Sequence, residues 1–320
     1  MSGIECSLCA GPAKPWLNMP IDPMKRAPTA YGSTIKCDVC ELGAVFPMPT
    51  AAEIPDFYVY DGYYTHSGAG HITPHKGKFF ERVLLRFAHT FDQERKFLPA
   101  EAVQLLPPNA TVCDLGCGNG WQLRRFKELG LECIGVDPDD QAIATSTGTG
   151  LTVLRGTAED IPAELSDKQF DLVIMSHSME HCRDPKAAIA NAYKLTKPGG
   201  LCYVEVPNCS AEHFKRFNVC SNMYDAPRHL YFFTPNSLRR LIELNNFTFL
   251  GAHYHGFVRH YLPSWRDFEF DVARQVKAAD KTVAVKFHDF KQSVILFLMS
   301  FWRKPDEKYD SFGWLVRRTA

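Results

Sequence analysis

The chain reads as an α/β protein built on a mostly parallel sheet of seven strands, the last one antiparallel, with a small cysteine-bearing segment ahead of it. Three observations carry that reading. From Ala110 onward, apolar runs of five or six residues alternate with helical stretches, the signature of strand–helix–strand crossovers with the strands buried on both faces. The first of these runs ends in glycines, as a strand does where it turns sharply into a helix. The first fifty residues carry two Cys-x-x-Cys pairs and seven prolines (Pro12, Pro15, Pro20, Pro23, Pro28, Pro47, Pro49) in place of periodic apolar residues.

In chain order, Cys6 and Cys9 come first, and 27 residues separate them from Cys37 and Cys40. Two such knuckles bring four thiolates onto one ion, and zinc accepts four sulfurs at about 2.3 Å. A closed shell of four leaves no open position, so a zinc ion here is structural rather than catalytic. Binding free energies of about 10–16 kcal/mol in small zinc peptides suffice to fold a segment that lacks a core. The aromatic stretch from Tyr58 through Tyr60, Tyr63 and Tyr64 follows; it reads either as a cap over a ligand or as a packed stripe. Residues 76–98 have helical spacing, with Phe79, Val83, Leu84, Phe87 and Phe91 on one face.

Strands are expected at 111–115, 132–136, 151–155, 170–175 and 201–206, separated by helices near 120–129, 141–145 and 186–195. After a helix near 237–244, residues 248–254 read as a sixth strand, and 311–318 alternate like an antiparallel edge strand. The mixed helical stretch 263–302 contains the run from Val294 to Trp302, read as a core helix or a dimer interface in preference to a lipid contact. The expected organisation is a metal-binding segment over 1–50, a connector covering the active site over 51–106, and the main domain over 107–320 with a helical insertion near 257–304.

Composition narrows the function. Lys and Arg number 36, Asp and Glu also 36, so the surplus of positive charge that nucleic acid or an anionic membrane demands is missing. Eleven cysteines and a start, MSGIECSLC, without a basic and apolar leader point to reduced thiols and a cytoplasmic location. No run approaches the roughly 18 apolar residues of a membrane span.

The chemistry begins at VCDLGCGNG, 112–120, where a strand enters a glycine turn that lets backbone amides at Gly116–Gly118 come close to a ligand. Asp137 ends the next strand, placed to accept both ribose hydroxyls of an adenosine cofactor. A dinucleotide fingerprint would need glycine where Trp121 stands, and Asp114 suits an amino group better than a pyrophosphate. Both departures turn the reading from a nicotinamide cofactor to S-adenosylmethionine (SAM).

With DLGCGNG (114–120), GVD (135–137), GTAEDIP (156–162), FDLVIMSHSMEH (170–181) and LTKPGG–LCYVEVPN (195–208), the chain resembles a class I SAM-dependent methyltransferase over residues 107–255 and 305–320. The resemblance implies a Rossmann-like methyltransferase sheet. It implies that Asp114, Gly116, Cys117 and Gly118 lie against the methionine part and that Asp137 holds the ribose. Ala158 and Glu159 would meet the adenine edge, and Ser176 and His177 would line the far side. The cysteine head, the aromatic segment and MYDAPRHLYFFTPNSL (223–238) are similar to methyltransferases of sugar and polysaccharide pathways, including sugar C-methyltransferases. That narrower resemblance carries over His229 as the base; of the other side chains expected near the methyl, His181 is the second choice and Tyr224 an acceptor contact. Arg228 stands where those enzymes have Glu. The expected acceptor is a sugar, nucleotide sugar or glycan. A non-sugar metabolite, or a non-catalytic binding protein of the same fold, is the alternative.

Overall fold

A computed structural model describes residues 3–60, 77–91 and 100–319. Tyr63 and Tyr64 and the end of the expected 76–98 helix lie outside the described residues.

Six short strands make up the head: β1 (Ile4–Glu5), β2 (Pro12–Asn18), β3 (Ile21–Asp22), β4 (Ala27–Pro28), β5 (Ser33–Cys37) and β6 (Gly43–Val45). The main sheet follows as β7 (Thr111–Leu115), β8 (Glu132–Asp137), β9 (Thr152–Arg155), β10 (Phe170–Ser176) and β11 (Thr196–Pro207). The chain then adds the short β12 (Tyr231–Phe232), β13 (Phe247–His255) and β14 (Ser311–Arg318). Seven strands lie in the order β13-β14-β11-β10-β7-β8-β9. β7 through β11 pair in parallel, and β14 alone runs against both of its neighbours. The chain starts in the middle, moves outward to β9, and returns to place β10 on the other side of β7. Ligands bind at such a switch point, at the carboxyl ends of the strands.

The strand 311–318 is not at an edge, as its alternation suggests. It lies between β11 and β13, with Phe312, Leu315 and Val316 buried, and β13 takes the edge. The helix expected over 76–98 runs Phe79–Phe91 in the described residues, and its apolar face is only partly buried. Leu84 and Ala88 are buried, whereas Phe79, Phe80, Val83 and Phe87 are exposed. Glu81 is buried on the inner side, where its carboxylate pairs with Arg266 of the helix Pro263–Ala279 at 2.6 Å.

The head is not a separate unit. Its sheet, β1-β2-β5-β6, is completed by β12 from the main domain, with Tyr231 opposite Ala44 and Phe232 opposite Gly43. Trp16 packs on Phe214 and Phe232, so the core-poor segment borrows apolar surface from its neighbour. Among the described residues, no helix is long and apolar enough to cross a membrane.

Candidate functional site

At the end of β7 the glycine turn is shaped by backbone, not by side chains. Gly116, Gly118 and Gly120 all have positive φ, a region that costs L-residues about 1–2 kcal/mol. A Cβ on Gly116 would lie 2.4 Å from that of Ser178, so the loop after β10 closes directly over the turn. The amides expected to reach a ligand are used internally. Gly116 and Cys117 both donate to the Val136 carbonyl, and Gly118 donates to Asp137 Oδ2 at 2.7 Å. What the turn offers a ligand is bare backbone surface. The Cys117 side chain is buried, with its sulfur against Gly135.

Asp114 and Asp137 flank this turn, and both are buried. Burial, reinforced by the charge of Asp137, pushes the Asp114 carboxyl up to about 8, and a cationic amino group beside it would reverse that shift. Burial also raises Asp137, against the amides of Asp139 and Gly118 that favour its charged form. Farther along, Asn191 holds the 158–159 loop by donating to the carbonyls of Ala158 and Glu159. The Glu159 carboxylate accepts from the Asp184 amide.

Beyond β10, six ionisable side chains form a continuous chain. Glu205 on β11 accepts from Ser176 Oγ and from the Tyr203 hydroxyl. It also pairs with His177 at 3.1 Å and with His255 at 3.0 Å. His177, held at φ +52°, reaches Glu180 with its other nitrogen at 3.3 Å. Burial disfavours the charged ring, but the Glu180 and Glu205 carboxylates outweigh it and hold His177 at about 10. Glu180 is fully buried, and neither of its oxygens completes a hydrogen bond among the described residues.

His181 and His229 complete the group. Their rings meet edge to face at 4.8 Å, and His229 Nε2 lies 4.0 Å from Glu180 Oε1. The Nδ1 of His229 contacts the Met223 carbonyl at 3.0 Å, and that of His181 contacts the Arg228 carbonyl at 2.9 Å. A carbonyl only accepts, so Nδ1 carries a proton in both rings. Burial, with His229 beside it, lowers His181 to about 4, which keeps that ring neutral. The Tyr58 hydroxyl touches the same Nδ1 at 3.0 Å.

The other two residues singled out in this loop hold the chain together. Tyr224 is fully buried, stacks on Phe232 and donates to the Gly32 carbonyl at 3.0 Å, so its hydroxyl is directed into the head and away from the histidines. Arg228, also buried, grips Asp22 through two nitrogens at 2.9 and 3.0 Å. It also binds Asp225 and the Phe57 carbonyl.

In the head, the two cysteine knuckles repeat one geometry. Cys6 N donates to Gly11 O and Ala10 N to Cys6 O, just as Cys37 N donates to Leu42 O and Glu41 N to Cys37 O. Ala10 and Glu41 both adopt positive φ. Leu8, Val39 and Cys40 direct amides at the sulfurs. Sγ–Sγ separations are 3.5 Å for Cys6–Cys40 and Cys9–Cys37, and all four sulfurs lie within 4.8 Å of one another. A tetrahedron of radius 2.3 Å has edges of about 3.8 Å, so the donor set fits a four-thiolate metal.

Sequence reasoning missed Ser178, Glu180, Glu205 and His255. Glu205 had a readable signal, a carboxylate inside an apolar strand, and Glu180 lies beside the His181 that was chosen. His255 is brought in by the sheet order alone.

Residues 82–251 match a family described as "Methyltransferase domain". The ubiquinone biosynthesis O-methyltransferase of Vibrio cholerae is 26% identical over 216 residues, 59% of this chain and 86% of that protein. An uncharacterized methyltransferase of Mycobacterium tuberculosis is 34% identical over 114 residues, 34% of this chain and 46% of the relative. Among solved structures, a SAM-dependent methyltransferase of Thermotoga maritima superposes with a TM-score of 0.47 at 20% identity, over 75% of this chain and 94% of that one.

Proposed function

We propose, on the premise that this chain belongs to the methyltransferase domain family and is a SAM-dependent enzyme, that it transfers the methyl group to a hydroxyl of a small acceptor bound beside His229. SAM supplies an already activated methyl on its sulfonium. The protein has then to align the acceptor, which is worth about 7–11 kcal/mol, and to remove one proton, worth about 10²–10⁴-fold. One observation carries the reading: the His229 ring meets that of His181 at 4.8 Å and brings its Nε2 to 4.0 Å from Glu180, in the same loop whose Ser178 covers the cofactor turn.

In this reading Asp114 takes the ammonium of the methionine part, against the bare turn at Gly116, Cys117 and Gly118. Each oxygen of Asp137 accepts one amide and keeps a lone pair for a ribose hydroxyl. Ala158 and Glu159 border the adenine, and Ser176 and His177 border the methyl end. His229 Nε2 receives the acceptor proton, and Glu180 stabilises the imidazolium that results. His181 shapes the acceptor side, while Tyr224 acts through position only. Cys6, Cys9, Cys37 and Cys40 hold a structural zinc.

The polar rim of His177, Glu205 and His255 suits an acceptor with more than one hydroxyl, such as a sugar or nucleotide sugar. The Vibrio relative's name, which places it in ubiquinone biosynthesis, favours an aromatic hydroxyl instead. A mass-spectrometric screen with SAM, nucleotide sugars and catechol-type acceptors separates the two. One of these classes is expected to gain a methyl group, and His229→Gln to lower the rate roughly 10²-fold or more. SAM binding without transfer to any hydroxyl, or transfer to amines only, would overturn the reading. Unchanged SAM binding in Asp137→Ala would overturn the cofactor assignment.

A further inference from the structure

The group Glu180–His181–His229 has a feature that base catalysis does not explain. Glu180 is fully buried, and no donor reaches either oxygen with hydrogen-bond geometry among the described residues; its Oε1 has ion-pair neighbours in His177 Nδ1 at 3.3 Å and His229 Nε2 at 4.0 Å, which leaves much of a buried carboxylate's usual need for donors unmet. Around it stand two imidazoles whose Nδ1 atoms contact the carbonyls of Arg228 and Met223, which leaves Nε2 of each ring as the nitrogen available to a ligand, and that of His229 lies 4.0 Å from Glu180 Oε1. That is how metal-binding histidines are held: the second ring nitrogen donates to a carbonyl, which fixes tautomer and orientation. One carboxylate oxygen and the two ring nitrogens lie within 4.8 Å of one another, the span of a two-histidine, one-carboxylate set before a metal draws it together.

We propose that Glu180, His181 and His229 bind one first-row divalent cation of the manganese, iron, cobalt or zinc class, separate from the four-thiolate site. Nitrogen and oxygen donors suit these ions, and three protein ligands leave positions open. The inference rests on the reading that the acceptor lies at this end of the sheet. With the cation bound, an acceptor hydroxyl coordinates at an open position and its acidity rises. The hydroxyl proton leaves to water, so His229 then acts as a ligand in place of a base. The oxygen bonds to the methyl carbon, the sulfur–carbon bond breaks, and its electron pair stays on sulfur, leaving a neutral thioether. Vicinal hydroxyls fit best, since two open positions would chelate them.

The test uses the full chain with one equivalent of zinc already bound. Titration with cobalt(II), followed by calorimetry, metal analysis and visible absorption, is expected to give one further equivalent. Its d–d bands should come without the thiolate charge-transfer absorption that the cysteine site would produce. Glu180→Gln and His229→Gln should each weaken this second equivalent roughly 100-fold while leaving the first in place, and Cys37→Ser should do the reverse. SAM binding in each variant reports that the domain is folded. The wild-type stoichiometry needs no variant at all: absence of a second equivalent, or its retention in both Glu180→Gln and His229→Gln, overturns the site. Methyl transfer at full rate by protein carrying zinc alone, and still sensitive to His229→Gln, would overturn the cation and leave the proposed function standing.

Discussion

Gly116 shows how much one residue decides. Its φ of +87° and the 2.4 Å approach of Ser178 exclude a side chain, so Gly116→Ala is expected to strain the turn and lower SAM affinity about 10-fold or more, read by calorimetry. Asp114→Asn tests the opposite property, charge. Removing the carboxyl that burial holds near 8 should weaken SAM while leaving the protein at least as stable, because an unpaired buried acid is replaced by a neutral amide. Both residues were legible, since a glycine turn and an acidic strand end announce themselves in the sequence. Arg228 was not. It stands where a resembling motif has Glu, and its role depends on Asp22, remote in the sequence. Arg228→Ala leaves Asp22 buried without its partner and is expected to cost about 3–5 kcal/mol in denaturant unfolding.

Among the elements, β12 links the two halves of the molecule. It pairs with β6 of the cysteine head immediately after His229, and Tyr224 and Arg228 tie the same loop to Gly32 and Asp22. Loss of metal from the four cysteines should therefore displace His229 while sparing the turn at β7. The expected result of chelation is SAM affinity nearly unchanged and methyl transfer reduced roughly 10²-fold, since a 1 Å misplacement costs that much. Equal loss of both would show that the head supports the whole domain. The sequence revealed the strands of the main sheet because burial on both faces makes them continuous apolar runs. In the helix Phe79–Phe91 the apolar spacing was legible but the extent of its burial was not: Leu84 is buried, whereas Phe79, Phe80, Val83 and Phe87 are exposed. The sequence placed β14 at an edge, because alternation records which face is buried and says nothing of which strands flank it.

At the scale of the whole molecule, buried histidines join the helical insertion to the helix Glu212–Phe217 that follows β11 and to Asp310 just before β14. His213 stacks on His260 at 4.2 Å, and Glu269 pairs with His213 at 3.0 Å and with His288 at 2.6 Å. Burial, then the neighbouring rings, depresses His260, which also faces Arg259 and, at 3.6 Å, Asp310. Burial depresses His288 as well, with Glu269 opposing and Arg266 adding to the shift. A histidine whose folded pKa is lowered binds its proton more readily in the unfolded chain. Stability is therefore full above about 6.5 and falls as the pH drops below it, by up to about 1.4 kcal/mol per pH unit for each ring. His177, held at about 10 by its carboxylates, and Asp310, raised by burial, act in the opposite sense, His177 above about pH 6.5 and Asp310 in the acid range. Thermal unfolding should show Tm falling as the pH drops below about 6.5, with a shallower slope in His260→Gln; parallel curves would refute the assignment. The position of β14 has a consequence in time. Because Ser311–Arg318 fills the slot between β11 and β13, a ribosome must release the chain past Arg318 before the sheet can close. The cysteine head and the first parallel strands emerge long before that. Until then β11 and β13 each present a bare edge in the crowded cell, and a nascent chain stalled short of residue 311 is a natural client for chaperones.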